Sequence, residues 1–323
     1  ADAPKKEEPK YPIVKPSGVI YTHWGMDLAE DADGYNEFAM DRVYVRADAQ
    51  VSKNVSTRVT LDADRLKPVE VAEDTEVTVD TKYRVFVKHA YVEFKEFGVP
   101  GVKIRAGMVD TPYTPFYDNF WGNRYITESF AKSQKILETA DLGFAVVGSH
   151  AKGLVDWNVS VLNGGGYAKL ESDAGKSVQA KVTVDPLAPG KELKLPITAF
   201  VNYDTNATDE VSTLTWVGAA GFAHDYAVLW AEILGTSSDG VSGLGYSATV
   251  NPKIPKVAGL VLRYDHFDPD GDTDDDGNTV LIAGLTHDFW ERVSVAATFE
   301  QTATEAEPDA PSQGIFLRGQ AGF

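Results

Sequence analysis

Apolar and polar residues alternate with a period of two along almost the whole chain, from Ser17 to Phe323. Residues 42–51 read Arg-Val-Tyr-Val-Arg-Ala-Asp-Ala-Gln-Val, with small or apolar side chains on one face and charged or polar ones on the other. Such alternation marks a strand with two unlike faces. It returns in 55–64 after a turn at 52–54, and again in 155–161 and 178–184. Helical periodicity is nearly absent, and only 127–138 fits a short helix. Sixteen segments are expected, near 18–27, 38–51, 55–65, 81–95, 101–110, 141–150, 154–163, 176–185, 194–204, 212–224, 226–235, 241–251, 257–267, 278–289, 291–302 and 313–323. The sixth, tenth and eleventh are rich in Gly and Ala and alternate least cleanly.

The connections order these segments. Those after even-numbered segments are short (52–54, 96–100, 151–153, 186–193, 225, 252–256, 290). Those after odd-numbered ones are usually longer (28–37, 66–80, 111–140, 164–175, 205–211, 236–240, 268–277, 303–312). Long and short ends that alternate belong to an up-and-down antiparallel barrel, and in a membrane the short turns face the periplasm. No apolar run is long enough for a transmembrane helix, so a membrane protein of this sequence must be a closed barrel. A soluble β-sandwich also alternates, but three features favour the barrel. Nearly every segment offers an outward set of Val, Ala, Leu, Ile and Phe. Aromatics gather at the short-turn ends (Phe94, Phe97, Phe222, Tyr226, Phe289, Trp290), as an interfacial girdle requires. The alternating run 315–323 closes on Phe323, which resembles the sorting signal of bacterial outer-membrane barrels. The expected organisation is a mobile periplasmic N-terminal segment, 1–16, followed by an all-β transmembrane barrel at 17–323.

Composition narrows the function. With 30 basic and 48 acidic residues the net charge is −18, which argues against a nucleic-acid binder. The absence of Cys removes disulfides, thiolate metal sites and thiol nucleophiles together.

The run Ala90-Tyr91-Val92-Glu93-Phe94, a hairpin, Val102-Lys103-Ile104-Arg105-Ala106-Gly107, and then Thr111-Pro112 resembles the middle of the phosphate-selective porin O and P family. Glu128-Ser129-Phe130, Leu142-Gly143 and Leu162-Asn163-Gly164 fall where that pattern expects them. The resemblance covers about a quarter of the chain. It implies a sixteen-stranded trimeric porin, in agreement with the strand count, and does not by itself imply phosphate selectivity.

Arg42, Arg46, Arg58, Arg84, Lys103 and Arg105 share the face assigned to the lumen, with Lys82 and Lys88 in phase. On neighbouring strands they would form one electropositive strip that attracts anions. The plainer alternative is a solvated wall on which Asp48, Asp62, Asp64 and Glu93 pair the cations. The connection 111–140 has no strand pattern, and long segments of this kind are usually functional. Its aromatics (Tyr113, Phe116, Tyr117, Phe120, Trp121, Tyr125, Phe130) need burial, so the loop is expected to fold into the lumen. Asp118 and Glu128 would then face the basic wall, with Arg124, Lys132 and Lys135 on the same loop. The fifth loop, 205–211, brings no Lys or Arg, which counts against a dedicated phosphate site.

Asp272, Asp274 and Asp276, followed by Gly277, have the spacing of a calcium loop. The twelfth position is Ala283, not a bidentate Glu, so the alternatives are a solvated acidic tip or a loose Ca²⁺ site bridging lipopolysaccharide. No hydrolase or phosphate-loop motif occurs, and His150, His224 and His287 fall at short-turn ends. The reading is therefore a general diffusion porin for small ions and solutes with mild anion preference. It is expected to be trimeric through the Gly/Ala-rich sixth, tenth and eleventh segments, surrounded by outer-membrane lipid and lipopolysaccharide, without a resident cofactor or nucleic-acid partner. The alternative is an outer-membrane barrel enzyme, receptor or structural barrel.

Overall fold

The computed structural model describes residues 10–29, 32–65, 83–95, 98–169, 171, 173–188, 192–206, 211–255 and 257–323. Sixteen strands follow in order: β1 (Ile13–Asp27), β2 (Asn36–Gln50), β3 (Val55–Arg65), β4 (Tyr83–Lys95), β5 (Val102–Asp110), β6 (Ala140–His150), β7 (Val155–Leu162) and β8 (Ser177–Val184). The second half comprises β9 (Ile197–Asn206), β10 (Val211–His224), β11 (Ala227–Ser238), β12 (Val241–Ile254), β13 (Ala258–Asp268), β14 (Asn278–Trp290), β15 (Val293–Thr304) and β16 (Ser312–Gly322). Each strand pairs antiparallel with the next, and β1 pairs with β16 from Val19↔Gly322 to Asp27↔Gly314. The sheet therefore closes and has no edge, the condition for spanning hydrocarbon with strands.

Alternation in the sequence becomes alternation in burial. Along β13 the inward Arg263 and Asp265 are buried, whereas Leu260, Leu262 and Tyr264 point outward and are 40–47% exposed. Val45, Val59, Phe144, Leu214, Ile233, Leu244, Leu285 and Leu317 lie exposed in the same way around the barrel. So much apolar surface suits a bilayer and not water. Phe94, Tyr226, Phe289 and Trp290 are exposed at the short-turn end, as expected, and Phe222 is half-buried. Phe97, Lys82 and the connection 66–80 lie outside the described residues.

Four expectations change. β1 begins at Ile13 and pairs Ile13↔Gln50 through Pro16↔Ala47, so residues 13–16 belong to the barrel; residues 1–9 lie outside the description. The β11–β12 connection, expected at 236–240, is a two-residue turn, Asp239-Gly240, with φ of 49° and 82°. Conversely, 185–196 is a long link on the short-turn side, held where the Asp185 carboxylate accepts from the Leu187 and Leu195 N–H groups, both at 3.0 Å. Finally, the small residues of the sixth, tenth and eleventh strands do not form one outer surface. Ala145, Ala219 and Gly221 face inward, while β6 presents Leu142 and Phe144 outward.

Residues 111–139 join β5 to β6 and hold two helices, α1 (Thr114–Trp121) and α2 (Phe130–Ser133). The expected helix at 127–138 shrinks to the four residues of α2. The longer α1 starts with Pro115 in its first turn, where a missing N–H breaks no bond. It ends at Gly122, whose φ of 78° suits glycine and whose N–H reaches the Asp118 carbonyl at 3.0 Å.

Candidate functional site: the constricted lumen

The third loop crosses the lumen and packs on the inner faces of β9–β15. Tyr113, Tyr117, Trp121, Tyr125 and Phe130 are at most 3% exposed and cluster with Phe200, Val217, Trp230 and Leu234. Trp230 receives the rings of Phe116, Tyr117 and Phe120, with centroids 5.1–5.9 Å away. Each such burial contributes about 1.5–3 kcal/mol, which holds a loop against a water-filled interior. Glycines on the wall make the close approach possible. A Cβ on Gly221 would lie 2.6 Å from Phe120, and one on Gly245 would lie 2.7 Å from Phe130.

Polar anchors fix the loop's position. The Tyr113 hydroxyl donates to Glu232 on β11, and the Trp121 indole donates to Asn251 on β12 at 2.6 Å. Tyr125 reaches the Val295 carbonyl on β15 at 3.3 Å, and Gln134 reaches Asn278 on β14 at 2.9 Å. Arg263 donates to the Glu128 carbonyl at 2.6 Å while its guanidinium pairs with Asp265 at 2.7 Å. The inward fold expected from the loop's aromatics is therefore the observed one.

The strip on β2–β5 differs from expectation. It is a lattice of both signs. Arg42 meets Asp62 at 2.9 Å, Asp64 at 3.1 Å and Glu128 of the third loop at 3.5 Å. Arg46 and Arg58 share Asp48 at 2.5 and 2.8 Å. Arg58, His89 and Arg105 converge on Asp110 at 3.5, 2.9 and 3.2 Å. Glu93 takes Arg105 at 2.9 Å and Lys103 at 3.8 Å. On the loop, Arg124 lies between Asp118 (3.4 Å) and Glu128 (2.6 Å). Glu128 thus touches the basic wall, and Asp118 pairs with Arg124 of its own loop while facing Arg46, Arg58 and Lys88 across a cavity. Burial raises the Asp118 carboxyl above the ordinary carboxylate range, against the pull of Arg124 and Lys88. Arg84 is exposed at the long-loop end of β4, in register with Asp64, which Arg42 also reaches.

Three adjoining cavities lie along β1–β5. A cavity of about 350 Å³ lies between α1 and the wall, bordered by four basic side chains (Arg46, Arg58, Lys88, Arg124) and two acidic ones (Asp110, Asp118). It shares Arg46 and Arg58 with a cavity of about 290 Å³ toward the short turns. There six basic residues, Lys15, Lys95, Lys103 and Arg105 among them, face Asp48 and Glu93. Toward the long loops it shares Tyr21 and Arg124 with a cavity of about 690 Å³. That wider space carries Glu37, Asp41, Asp64 and Glu128 against Arg42, Arg124 and Arg318. Another cavity of about 700 Å³ lies under the loop tip by Trp121 and Asn123, with Asp225, Asp288 and Glu291 against Lys253. The narrow stretch is basic and the wider ends are acidic.

Several lumen residues escape a reading by alternation. Lys88 and His89 both face inward because the β3–β4 register shifts between Thr60 and Leu61, and no sequence motif marks that bulge. Arg263, Glu232 and Lys181 look like ordinary inward polar positions, yet all three are buried under the third loop; the Lys181 ammonium sits 3.8 Å from the Phe116 ring centroid. Tyr167, from the connection between β7 and β8, bonds both Arg42 and Asp62. Only the Gly164-Gly165-Gly166 tract before it hints at a special backbone path.

Asp272, Asp274 and Asp276 do not converge as a calcium loop would. Among the described residues no three His, Cys, Asp or Glu side chains are placed to hold a metal ion. The Asp270 carboxylate instead closes the turn by accepting from the Asp272 N–H and the Thr273 hydroxyl, at 3.2 and 2.7 Å. His150, His224 and His287 pair with Trp157, Tyr226 and Phe289 at the short-turn end.

No protein-family model matches the sequence, and no curated protein matches it. Solved structures do match its fold along nearly the whole chain. OmpT of Vibrio cholerae, expressed in the outer membrane, is 10% identical, with 98% of this chain and 99% of that one covered and a TM-score of 0.66. An anion-selective porin from Comamonas acidovorans is 10% identical, with 97% and 100% covered and a TM-score of 0.65. OmpF of Salmonella typhi is 10% identical, with 97% and 100% covered and a TM-score of 0.69. The closed sixteen-stranded barrel, built as in outer-membrane porins, is thus the fold of this chain.

Proposed function

We propose that this protein is a porin of a Gram-negative outer membrane, through which small ions and hydrophilic solutes diffuse passively, with mild preference for anions. One observation carries the reading: an apolar-sided closed barrel keeps a row of adjoining polar cavities beside a loop that narrows its lumen. The preference for anions follows from the basic excess along the narrow stretch, where charge acts with little screening. The paired guanidiniums argue for a general field and against a dedicated phosphate site. The finer kinship with the phosphate-selective porins rests on the strand and loop motifs alone. Passage through the lumen requires no chemistry, so the protein is taken to act as a channel and not as an enzyme.

Reconstitution in a planar lipid bilayer tests this. Discrete ohmic steps, with a reversal potential toward the anion side in a salt gradient, are expected. A folded barrel that never conducts would sink the proposal, and clear cation preference would remove its selectivity part. A trimer in lipid and lipopolysaccharide is the expected assembly, and one similar structure, OmpT of Vibrio cholerae, is in a trimer form. A monodisperse monomer both in mild detergent and in native membranes would refute it.

A further inference from the structure

The connection between β7 and β8 brings a second loop to the path. Gly164 and Gly166 have φ of 109° and 80°, a region that favours glycine. The Gly164 N–H donates to the Asp141 carboxylate at 2.6 Å. A Cβ on Gly166 would stand 2.5 Å from the Glu138 side chain, on the returning limb of the third loop. The tract is therefore pressed against the base of that loop, and the chain turns from it toward the lumen.

Tyr167 follows directly. Its hydroxyl donates to Asp62 at 2.7 Å and accepts from Arg42 at 3.0 Å. Its ring lies 5.4 Å from the Lys88 ammonium, which also sits 4.5 Å from the Tyr44 ring centroid. Arg42 borders the wider cavity toward the long loops, and Lys88 borders the narrow one. The Tyr167 side chain lines neither cavity itself but touches one cation that borders each.

We propose that Tyr167 is a specificity-determining residue of the pore, one that shields Arg42 and Lys88 from passing anions. The inference rests on the porin reading. A cation held against aromatic faces has part of its field already satisfied, and a guanidinium N–H that bonds a phenol is no longer offered to a solute. The arrangement thus sets the anion preference below what the bare cations would give. Replacing the tyrosine should raise that preference, because each cation loses one partner at once, while Asp62, Asp64 and Glu128 still hold Arg42 and Tyr44 still holds Lys88.

The test is single-channel conductance and reversal potential of Tyr167→Ala in planar bilayers, using heat-modifiable, folded barrel. Conductance should stay near the wild-type value, and the reversal potential should move toward anions. Tyr167→Phe keeps the ring and should retain wild-type conductance. In a Lys88→Gln background the same Ala substitution should shift selectivity much less, a distinction that simple loosening of the loop would not produce. Should Tyr167→Ala fail to assemble, Tyr167→Leu, which loses the hydroxyl and the π face, carries the selectivity measurement. A conducting wild type matched in reversal potential by its Tyr167→Ala variant overturns this inference and leaves the porin reading standing. A wild type that never conducts overturns both.

Discussion

Strands β1–β5 and strands β10–β15 close one barrel and follow one alternation, yet their inward faces lie in different media. On β2–β5 the inward residues border open cavities, and charges such as Arg46 and Asp48 remain 38% and 36% exposed as they pair. On β11–β13 the third loop covers the wall, and Arg263 and Asp265 are paired at 1% and 2% exposure. The same residue types therefore perform two tasks. In water a basic side chain shapes the field of the path. Under the loop it becomes a buried anchor whose loss leaves a charge without compensation.

The difference is broken most directly by removing the loop. Replacing residues 116–135 with a short Gly/Ser link should raise conductance severalfold while the barrel still assembles, since strand pairing does not involve those residues. Unchanged conductance from a folded, heat-modifiable barrel would show that the loop does not fill the pore.

The next largest effect is energetic. Arg263→Met leaves the Asp265 carboxylate buried and unpaired, at a cost of about 3–5 kcal/mol. The midpoint of thermal unfolding in detergent should fall sharply, and Arg263→Met with Asp265→Leu should recover most of it. On the open wall, Arg46→Gln should cost no more than about 1 kcal/mol, because that pair is hydrated. Equal losses on the two walls would erase the distinction.

Selectivity should respond in the opposite order. Arg46→Glu or Lys103→Glu should move the reversal potential toward cations, since both border the path. Lys181→Gln, beneath Phe116, should leave it unchanged. A larger shift from Lys181 would place the conducting path behind the loop.

The smallest expected effect is on pH. Because burial raises the Asp118 carboxyl, it takes up a proton above the ordinary carboxylate range as pH falls. Losing that negative charge beside Lys88 and Arg124 should strengthen anion preference. The change should begin at higher pH in the wild type than in Asp118→Asn, followed by reversal potential from pH 7 downward to about 4.

Much of the fold was legible because strand alternation is local. Residues 42–51 show their two faces without help from the rest of the chain. Helix α1 was not legible, since two turns of mostly aromatic residues carry little amphipathic signal, and only Pro115 and Gly122 mark its ends. Among the site residues, Arg42, Arg46, Arg58, Lys103 and Arg105 could be placed on the lumen face by counting in twos. Asp48, Asp62, Asp64, Glu93 and Glu128 could be named against them too, but not Asp110 from the end of β5 or Tyr167 from another connection.

By itself, then, the sequence determined a membrane-suited barrel of sixteen strands, the face on which most strand residues stand away from the bulges, and a third loop too aromatic to remain in water. Those properties depend on neighbours one or two positions apart, or on the bulk chemistry of a segment. Only the tertiary structure decided which charges are open and which are buried, because the loop that separates them lands on strands more than a hundred residues away. It also decided that Arg42 is a junction and not a bare cation. A guanidinium's field depends on the acceptors within a few ångströms, and here the acceptors come from β3, the third loop and the connection that carries Tyr167.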